Sequence, residues 1–276
     1  MIKSSEVYFS LVYDWMKEEL LKQPVIQVDE TTLKVNRDGR KAGASSYMWV
    51  YITGEHDDSG KKIILYNYCR TRSTEHLRNF LSAYQGTLVS DGYQPYHTFS
   101  EEQALARISA IYKLDESWKG RSCEYRAEHR RRILKPLVDE YFDWVKEQVK
   151  TCSVPPKSET GEGLSYSIHQ EKYLRTFLED GNIPIDNSAC ERAIRPFCVG
   201  RKNWNVIDTV EGAQASAIAY SIAETAKANH LKPYQYFEYL LTELPKRVTQ
   251  KKDSSFSLDD LMPWSSELPM SCRKIK

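Results

Sequence analysis

Several features that identify large classes of protein are absent from the sequence. None of its apolar runs reaches the length needed to cross a bilayer, so an integral membrane protein is excluded. The N-terminus has neither an uninterrupted apolar segment nor a small-residue cleavage site, and we therefore expect no secretion. An excess of charge of one sign is also missing, because 39 Lys and Arg face 38 Asp and Glu and leave a net charge of +1. Nucleic-acid binding must then rest on local patches.

The usual short motifs of metal sites and enzymes are missing as well. The six cysteines are scattered without a C-x-x-C pair, which favours reduced thiols of a cytosolic protein over a disulfide framework or a zinc site. The histidines have no metal-binding spacing, and there is no phosphate-binding loop, no dinucleotide fingerprint and no Ser-His-Asp order. The chain does have 41% hydrophobic and 12% aromatic residues, which is enough for a large buried core.

The N-terminal third of the chain predicts a mixed α/β sheet. The spacing of apolar residues predicts, in order, a helix at 7–21, strands at 25–28, 47–53 and 63–68, a helix at 74–84 and a strand at 87–90. Three strands, a helix and a further strand indicate an antiparallel meander that is continued by a crossover to a parallel strand. The first and fourth strands would then be neighbours.

The rest of the chain has helical patterns. We expect helices over most of 104–150, at 168–180, from Ser188 onward, at 212–229 and at 234–244. A loop rich in Pro, Gly and Ser is predicted at 153–165. The polar tail from Lys246 is expected to be loosely ordered.

Three carboxylates hold positions that suit a shared site. Asp29 and Asp91 directly follow the predicted first and fourth strands, and Glu191 lies early in a predicted helix. Three carboxylates that meet need a cation between them, and hard oxygen ligands suit Mg²⁺ or Mn²⁺. Taken singly, an Asp after a strand is usually a turn former or an N-cap, and Ser188-x-x-Glu191 is the pattern of a capping box. Spacing alone does not decide between these interpretations.

Basic residues offer two candidate contacts for phosphates. The segment 119–135 has seven cations and two acidic residues, which fits either a salt-dependent contact with a nucleic-acid backbone or a solvated helix face. The candidates for DNA binding near Glu191 are Arg192, Arg195, Arg201 and Lys202. Arg195, one helical turn after Glu191, could instead pair with it. Trp204 could stack on an unpaired base, but a tryptophan of the core or its rim is the more frequent case.

Several blocks, taken in order, closely resemble transposases of the bacterial insertion sequence 66 family. The blocks are QVDET at 27–31, VSDGY at 89–93, DNSACERAIRP at 186–196, GRKNW at 200–204, YSIAETAK at 220–227 and LDDL with PW between 258 and 264. The resemblance extends over most of residues 1–272. Any one block would be weak evidence, and the ordered set is strong evidence.

This resemblance implies a ribonuclease-H-like catalytic fold and DNA transposition by a DDE triad of Asp29, Asp91 and Glu191 that binds Mg²⁺ or Mn²⁺. The implied partners are DNA, as element ends and target, further copies of the chain in a synaptic complex, and helper proteins of the same mobile element. No membrane partner is expected. The implied location is the bacterial cytoplasm, at the nucleoid when the protein is bound to DNA.

On this pattern the sequence divides into five parts. We expect a linker helix at 1–24, a ribonuclease-H-like sheet core at 25–100, a helical insertion at 101–165, C-terminal helices that complete the catalytic core at 166–245, and a C-terminal element or tail at 246–276.

Two departures from the family pattern affect the expected activity. Family members have a helical region, a zinc-binding segment and a DNA-binding region before the catalytic domain, whereas this sequence starts at the last helix before the first catalytic strand. They also have a segment after the second Asp block that should supply a fifth strand, and no strand-like run lies between Asp91 and Ala104 here. An exposed sheet edge would result. The alternative to an active transposase is a catalytically impaired, internally deleted remnant that acts only as a DNA-binding or interaction module.

Overall fold

Two units make up the chain in the computed structural model. The sheet unit comprises Met1–Ser90 together with Asn187–Lys276, and the helical unit comprises Asp91–Asp186. The structure describes residues 3, 5–41, 44–57, 59–82, 84–90, 102–151, 159–249 and 256–274. No helix in these ranges is long and apolar enough to cross a membrane.

The helices are α1 (Ser10–Leu20), α2 (Thr74–Phe80), α3 (Glu102–Ser117), α4 (Cys123–His129), α5 (Lys135–Thr151), α6 (Glu159–Leu174), α7 (Ser188–Trp204), α8 (Val210–Ala228) and α9 (Pro233–Thr249). The strands are β1 (Val25–Arg37), β2 (Ser45–Thr53), β3 (Ile64–Cys69), β4 (Thr87–Ser90) and β5 (Ile207–Thr209). Single π-helical turns lie at Ser5–Phe9 and Arg130–Leu134, and short 3₁₀ turns lie at Thr176–Leu178, Asp259–Leu261 and Met270–Cys272.

The sheet has the mixed topology that the spacing of apolar residues predicts. Its strand order is β3-β2-β1-β4, with β1 antiparallel to β2, β2 antiparallel to β3, and β1 parallel to β4. The predicted meander, the crossover through α2 and the adjacency of the first and fourth strands are therefore confirmed. The short β5 pairs in parallel with the far end of β1, where Val35 lies opposite Ile207.

The prediction that the first strand ends before Asp29 is wrong. The ladder between β1 and β2 runs without a break from Ile26, opposite Thr53, to Lys34, opposite Ser45. Beyond the two acidic residues the chain resumes a strand pattern, because β-branched threonines are followed by Leu33 and Val35, which are buried on alternate positions. Asp29 therefore lies inside a strand of thirteen residues.

Each face of the sheet is covered by helices of the same unit. One face carries Ile26 and Val28, and packs against α1, α9 and the segment from residue 256 onward. The other face carries Leu33 and Val35, and packs against α7 and α8 through residues such as Ile194. The sheet is thus buried on both sides, which explains the nearly unbroken apolar run at the start of β1.

The expectation of a loosely ordered C-terminal tail is wrong for residues 256–274. Leu258, Leu261 and Met262 are all buried in the core of the sheet unit. The hydroxyl of Tyr236 in α9 donates to the carbonyl of Leu261 at 2.7 Å. The polar composition of the segment hides a few apolar side chains, which are enough to fix it in place because they pack into the same cluster.

Removing that buried hydroxyl should weaken the attachment of the C-terminal segment. We expect Tyr236→Phe to lower the free energy of unfolding by about 1–2 kcal/mol, since the Leu261 carbonyl loses its donor inside the core. Urea unfolding measures this change. Tyr234→Phe is the matched control because Tyr234 is 75% exposed. Equal stability of the two variants would contradict the proposed role of the hydrogen bond.

The helical unit consists of α3, α4, α5 and α6. The predicted loop at 153–165 is wrong in its second half, because α6 begins at Glu159, while 152–158 lie outside the described residues. Leu164 and Ser167 are buried, and the Ser167 hydroxyl lies 3.1 Å from that of Tyr141 in α5. Packing against α5 thus overrides the low helix propensity of the glycines in this segment.

Candidate active site

Asp29 lies on the face of β1 that α7 covers. Side chains alternate along a strand, so Gln27, Asp29 and Thr31 share a face with Leu33 and Val35, whose cluster includes α7. Asp29 is half-buried, and its Oδ1 accepts a hydrogen bond of 2.7 Å from the amide of Glu30. Because Asp29 is paired opposite Val50 in the interior of the ladder, the turn-former and N-cap interpretations do not hold for it.

Helix α7 is attached to β1 on both sides of Asp29. At its N-terminus, Asn187 Nδ2 donates to the carbonyl of Val28 at 2.8 Å. Further along, Cys198 Sγ lies 3.6 Å from Thr31 Oγ1, and Arg201 Nη1 donates to the same oxygen at 2.9 Å. Residues 28 and 31 flank Asp29, so the helix passes over this part of the strand.

Glu191 lies in the first turn of α7 and is exposed. Together with Asn187, Ile194 and Cys198 it follows the alternating spacing of four and three residues that defines one face of a helix. Asn187 and Cys198 contact β1, and Ile194 packs in the same cluster as Leu33. Glu191 therefore belongs to the face that α7 turns towards β1, one turn after the residue that contacts Val28.

The capping-box interpretation requires Ser188 at the N-cap, and the structure places Asn187 there. The amide of Glu191 donates to the Asn187 carbonyl at 3.1 Å, an ordinary bond of the first helical turn. With Asn187 at the N-cap, Glu191 is the fourth residue of the helix, whereas the acidic residue of a capping box is the third.

Asp91 lies outside the described residues. The strand before it ends at Ser90, which is paired with Val28, so Asp29 and Asp91 each directly follow a residue of the same pair. In the described ranges no group of three or more His, Cys, Asp and Glu side chains is placed to hold a metal ion. Two of the three predicted ligands lie in those ranges, and both offer the carboxylate oxygens that Mg²⁺ and Mn²⁺ prefer. The chemistry of these two side chains therefore fits such an ion.

The four predicted DNA-binding cations near Glu191 have different surroundings. Arg192 is exposed and pairs with Glu55 at 3.2 Å. Arg195 and Lys202 are exposed. Arg201 is half-buried and is bound to the threonines of β1. Three of the four side chains thus face solvent on the helix that carries Glu191, and the fourth holds the helix to the sheet.

Comparison with known proteins agrees with the family blocks of the sequence. The chain matches the model described as Transposase IS66 family over residues 1–104 and 100–215, and the model described as IS66 C-terminal element over residues 221–264. The chain belongs to the IS66 transposase family. The two pieces of the first match meet at residues 100–104, shortly after Asp91.

The chain is also similar to proteins of Sinorhizobium fredii. The chain is 24% identical over 294 residues to uncharacterized protein y4qI of Sinorhizobium fredii, covering 92% of this chain and 53% of that protein. It is 21% identical over 300 residues to uncharacterized protein y4hP of the same organism, covering 92% of this chain and 52% of that protein. The chain spans about half the length of these relatives.

The basic segment 119–135 of this IS66 chain is only partly exposed. Both interpretations of its charge, a nucleic-acid contact and a solvated helix face, assumed that all its cations lie on the surface. Arg126 and Arg130 are buried. Arg126 Nε donates to the Gly181 carbonyl at 2.9 Å, and Arg130 forms a two-point ion pair with Asp115 at 2.7 and 2.9 Å. Two of the seven cations therefore hold the helical unit together, and only the exposed remainder can contact a phosphate.

The interpretation of Trp204 is decided, whereas the expected fifth strand is not tested. Trp204 is half-buried and its ring lies 5.5 Å from that of Phe197, so it belongs to the rim of the core. The expected fifth strand after Asp91 would fall on 91–101, which lie outside the described residues, and in the described part β4 pairs with β1 alone.

The sequence reasoning missed a buried amide pair, Gln27 and Asn187, beside the two carboxylates. Gln27 is completely buried and Asn187 is 4% exposed. Gln27 Nε2 donates to Asn187 Oδ1 at 3.1 Å. A signal was present in Gln27, which interrupts the apolar run VIQV, since a polar residue in a buried strand needs a polar partner. The partner lies 160 residues away and has no such signal.

Proposed function

We propose that this chain carries the catalytic part of a transposase that cleaves DNA strands and transfers them in the presence of a divalent metal. The observation that supports this best is the attachment of α7 to β1 on both sides of Asp29, with Glu191 on the attached face. Asp91 follows the strand that is parallel to β1. We infer that the three carboxylates converge at the end of β4, in a sheet of ribonuclease-H-like type.

Asp29, Asp91 and Glu191 are the residues that would hold Mg²⁺ or Mn²⁺. When bound, such ions would activate the attacking water or 3′-hydroxyl and stabilise the leaving oxygen. Without a cation, the carboxylates would repel one another, which is why a divalent ion is the natural occupant. The bound cations would attract the phosphates of DNA, and positively charged side chains beside the carboxylates would add to that attraction.

The exposed cations of α7 fit that second task. Arg195 and Lys202 are exposed on the helix that carries Glu191, and Arg192 is held near it by Glu55. Contacts of this kind bind the DNA backbone without regard to sequence and weaken as salt rises. DNA is therefore the proposed substrate, and the synaptic oligomer, the helper proteins and the five-part division of the sequence stay predictions.

A second candidate is favoured by the division of the family match into two pieces, which overlap at residues 100–104. It is the remnant without catalysis, which binds DNA or another protein through the same cations. The two candidates differ in whether phosphodiester bonds are cut, and this difference can be measured directly.

The test incubates the purified chain with duplex DNA that carries the ends of an IS66-type element, with Mg²⁺ or Mn²⁺ or with chelator. Metal-dependent nicking at the ends, or joining of the freed 3′-hydroxyl to a second duplex, is expected. Asp29→Ala and Glu191→Ala should each abolish it, whereas Glu211→Ala, an exposed glutamate in the first turn of α8, should not. Activity that survives both site substitutions defeats the catalytic proposal. DNA binding without any cleavage supports the remnant.

A further inference from the structure

The buried amides of Gln27 and Asn187 form a connected set of hydrogen bonds between β1, the N-terminus of α7 and Glu55 in the turn after β2. Gln27 Nε2 donates to Asn187 Oδ1 at 3.1 Å, and Gln27 Oε1 accepts from the amide of Glu55 at 3.1 Å. Asn187 Nδ2 donates to the Val28 carbonyl at 2.8 Å. We call these three bonds the amide clamp. Each amide is used at both its oxygen and its nitrogen, which fixes its orientation.

The amide clamp adjoins both described carboxylates. Val28, whose carbonyl is bound, is the residue before Asp29. Asn187 is also the N-cap of α7, and its own carbonyl accepts the amides of Cys190 and Glu191 at 2.9 and 3.1 Å. One residue therefore holds the strand beside Asp29 with its side chain and the helical turn of Glu191 with its main chain.

We propose that Gln27 and Asn187 are positioning residues that set the separation between Asp29 and Glu191. This inference rests on the proposed function, since the separation matters for the chemistry if the two carboxylates share a metal ion. Metal ligands need partners that fix their orientation, and losing such a partner typically weakens metal binding by about 10–100-fold. The amide clamp supplies that fixation through the backbone on each side.

Simple packing does not explain the amide clamp. Burying two amides costs free energy, and their hydrogen bonds do little more than offset that cost. An apolar pair of the same size at these positions would avoid it. Two polar side chains with matched donors and acceptors instead fix one register of α7 against β1. Directional bonds determine the position of Glu191 along the strand more closely than apolar contacts can.

Binding of Mn²⁺ alone to the full chain, measured by titration calorimetry, tests the inference. Asn187→Ala and Gln27→Met should each weaken Mn²⁺ binding by about 10–100-fold. The double variant should be no weaker than the worse single variant, because both substitutions open the same clamp. Gln27→Met keeps the size of the side chain and serves if Asn187→Ala fails to fold.

The matched control is Thr225→Val. Thr225 in α8 is buried and anchors that helix to β3 by exchanging hydrogen bonds with Ile64 at 2.9 and 3.0 Å. The control should lower thermal stability without changing Mn²⁺ affinity. Equal weakening of Mn²⁺ binding in Thr225→Val and Gln27→Met would reveal a general loss of stability and overturn the inference.

Two failures are distinguishable. If the unsubstituted chain does not bind Mn²⁺, or if Glu191→Gln binds it equally well, the proposed function fails and the positioning role fails with it. If such binding exists and both clamp variants retain it at full affinity, the positioning role alone is refuted.

Discussion

Arg130→Met is expected to lower the free energy of unfolding of the helical unit by about 3–5 kcal/mol, as is usual when one partner of a buried ion pair is removed. Arg130 has no exposed side-chain surface, and Asp115 beside it is 6% exposed. The variant leaves the Asp115 carboxylate buried without its counter-charge. The expected loss is a large part of the stability of a typical domain.

The ion pair is only part of what Arg130 does. Its Nη1 also donates to the carbonyls of Phe177, Asp180 and Ile183, at 2.9, 3.0 and 2.8 Å. These carbonyls lie in and after a short 3₁₀ turn, where backbone acceptors have no helical partners. The guanidinium thus fixes the end of the helical unit that leads to α7.

Lys135→Met is the matched control, with the same substituent in the same run of helix. Lys135 also forms an ion pair, with Asp139 at 2.7 Å, but its side chain is 56% exposed. An exposed pair of this kind contributes about 0–1 kcal/mol. Urea unfolding by circular dichroism, with hydrogen exchange of the amides of 102–151, measures both variants. A similar small loss in the two would show that burial adds nothing to the Arg130 pair.

The architecture of the sheet could be predicted from sequence because it depends on local patterns. Alternation and turn residues gave three strands, a helix and a fourth strand, and the rules for connections gave their order. The end of β1 could not be predicted, since Asp29 and Glu30 resemble a strand end until the burial of Leu33 and Val35 is known. That burial comes from α7, which is distant in sequence.

Long-range partners account for the remaining differences. A charged run is normally solvated, and nothing near Arg130 in sequence indicates that Asp115 and three carbonyls up to 53 residues away surround it. Asn187 likewise resembles any helix cap until Gln27 is placed beside it. The candidate ligands were named from ordered family blocks rather than from physical pattern. Coordinates were needed to show which face of β1 carries Asp29 and which face of α7 carries Glu191.

Glu191→Gln is expected to weaken Mn²⁺ binding by about 100-fold or more while leaving the fold intact. Loss of an outer partner already costs about 10–100-fold, and a direct ligand should cost at least as much. Glutamine keeps the size and one oxygen but removes the negative charge that a hard cation requires. Because Glu191 is exposed, the free energy of unfolding should fall by no more than about 1 kcal/mol, the contribution of a carboxylate to the first turn of a helix. Titration calorimetry and thermal unfolding measure the two effects.

Glu211→Gln is the matched control. It separates metal binding from the stabilisation that any acidic residue gives to the first turn of its own helix. Glu191 and Glu211 each lie in the first turn of a helix, α7 and α8, and both are exposed. A carboxylate there stabilises the positive end of the helix dipole by about 0.3–1 kcal/mol, and both variants lose that contribution. A difference between them in Mn²⁺ affinity therefore reports on the site beside Asp29 alone. Equal affinities would mean that Glu191 serves its own helix and that no cation joins it to β1.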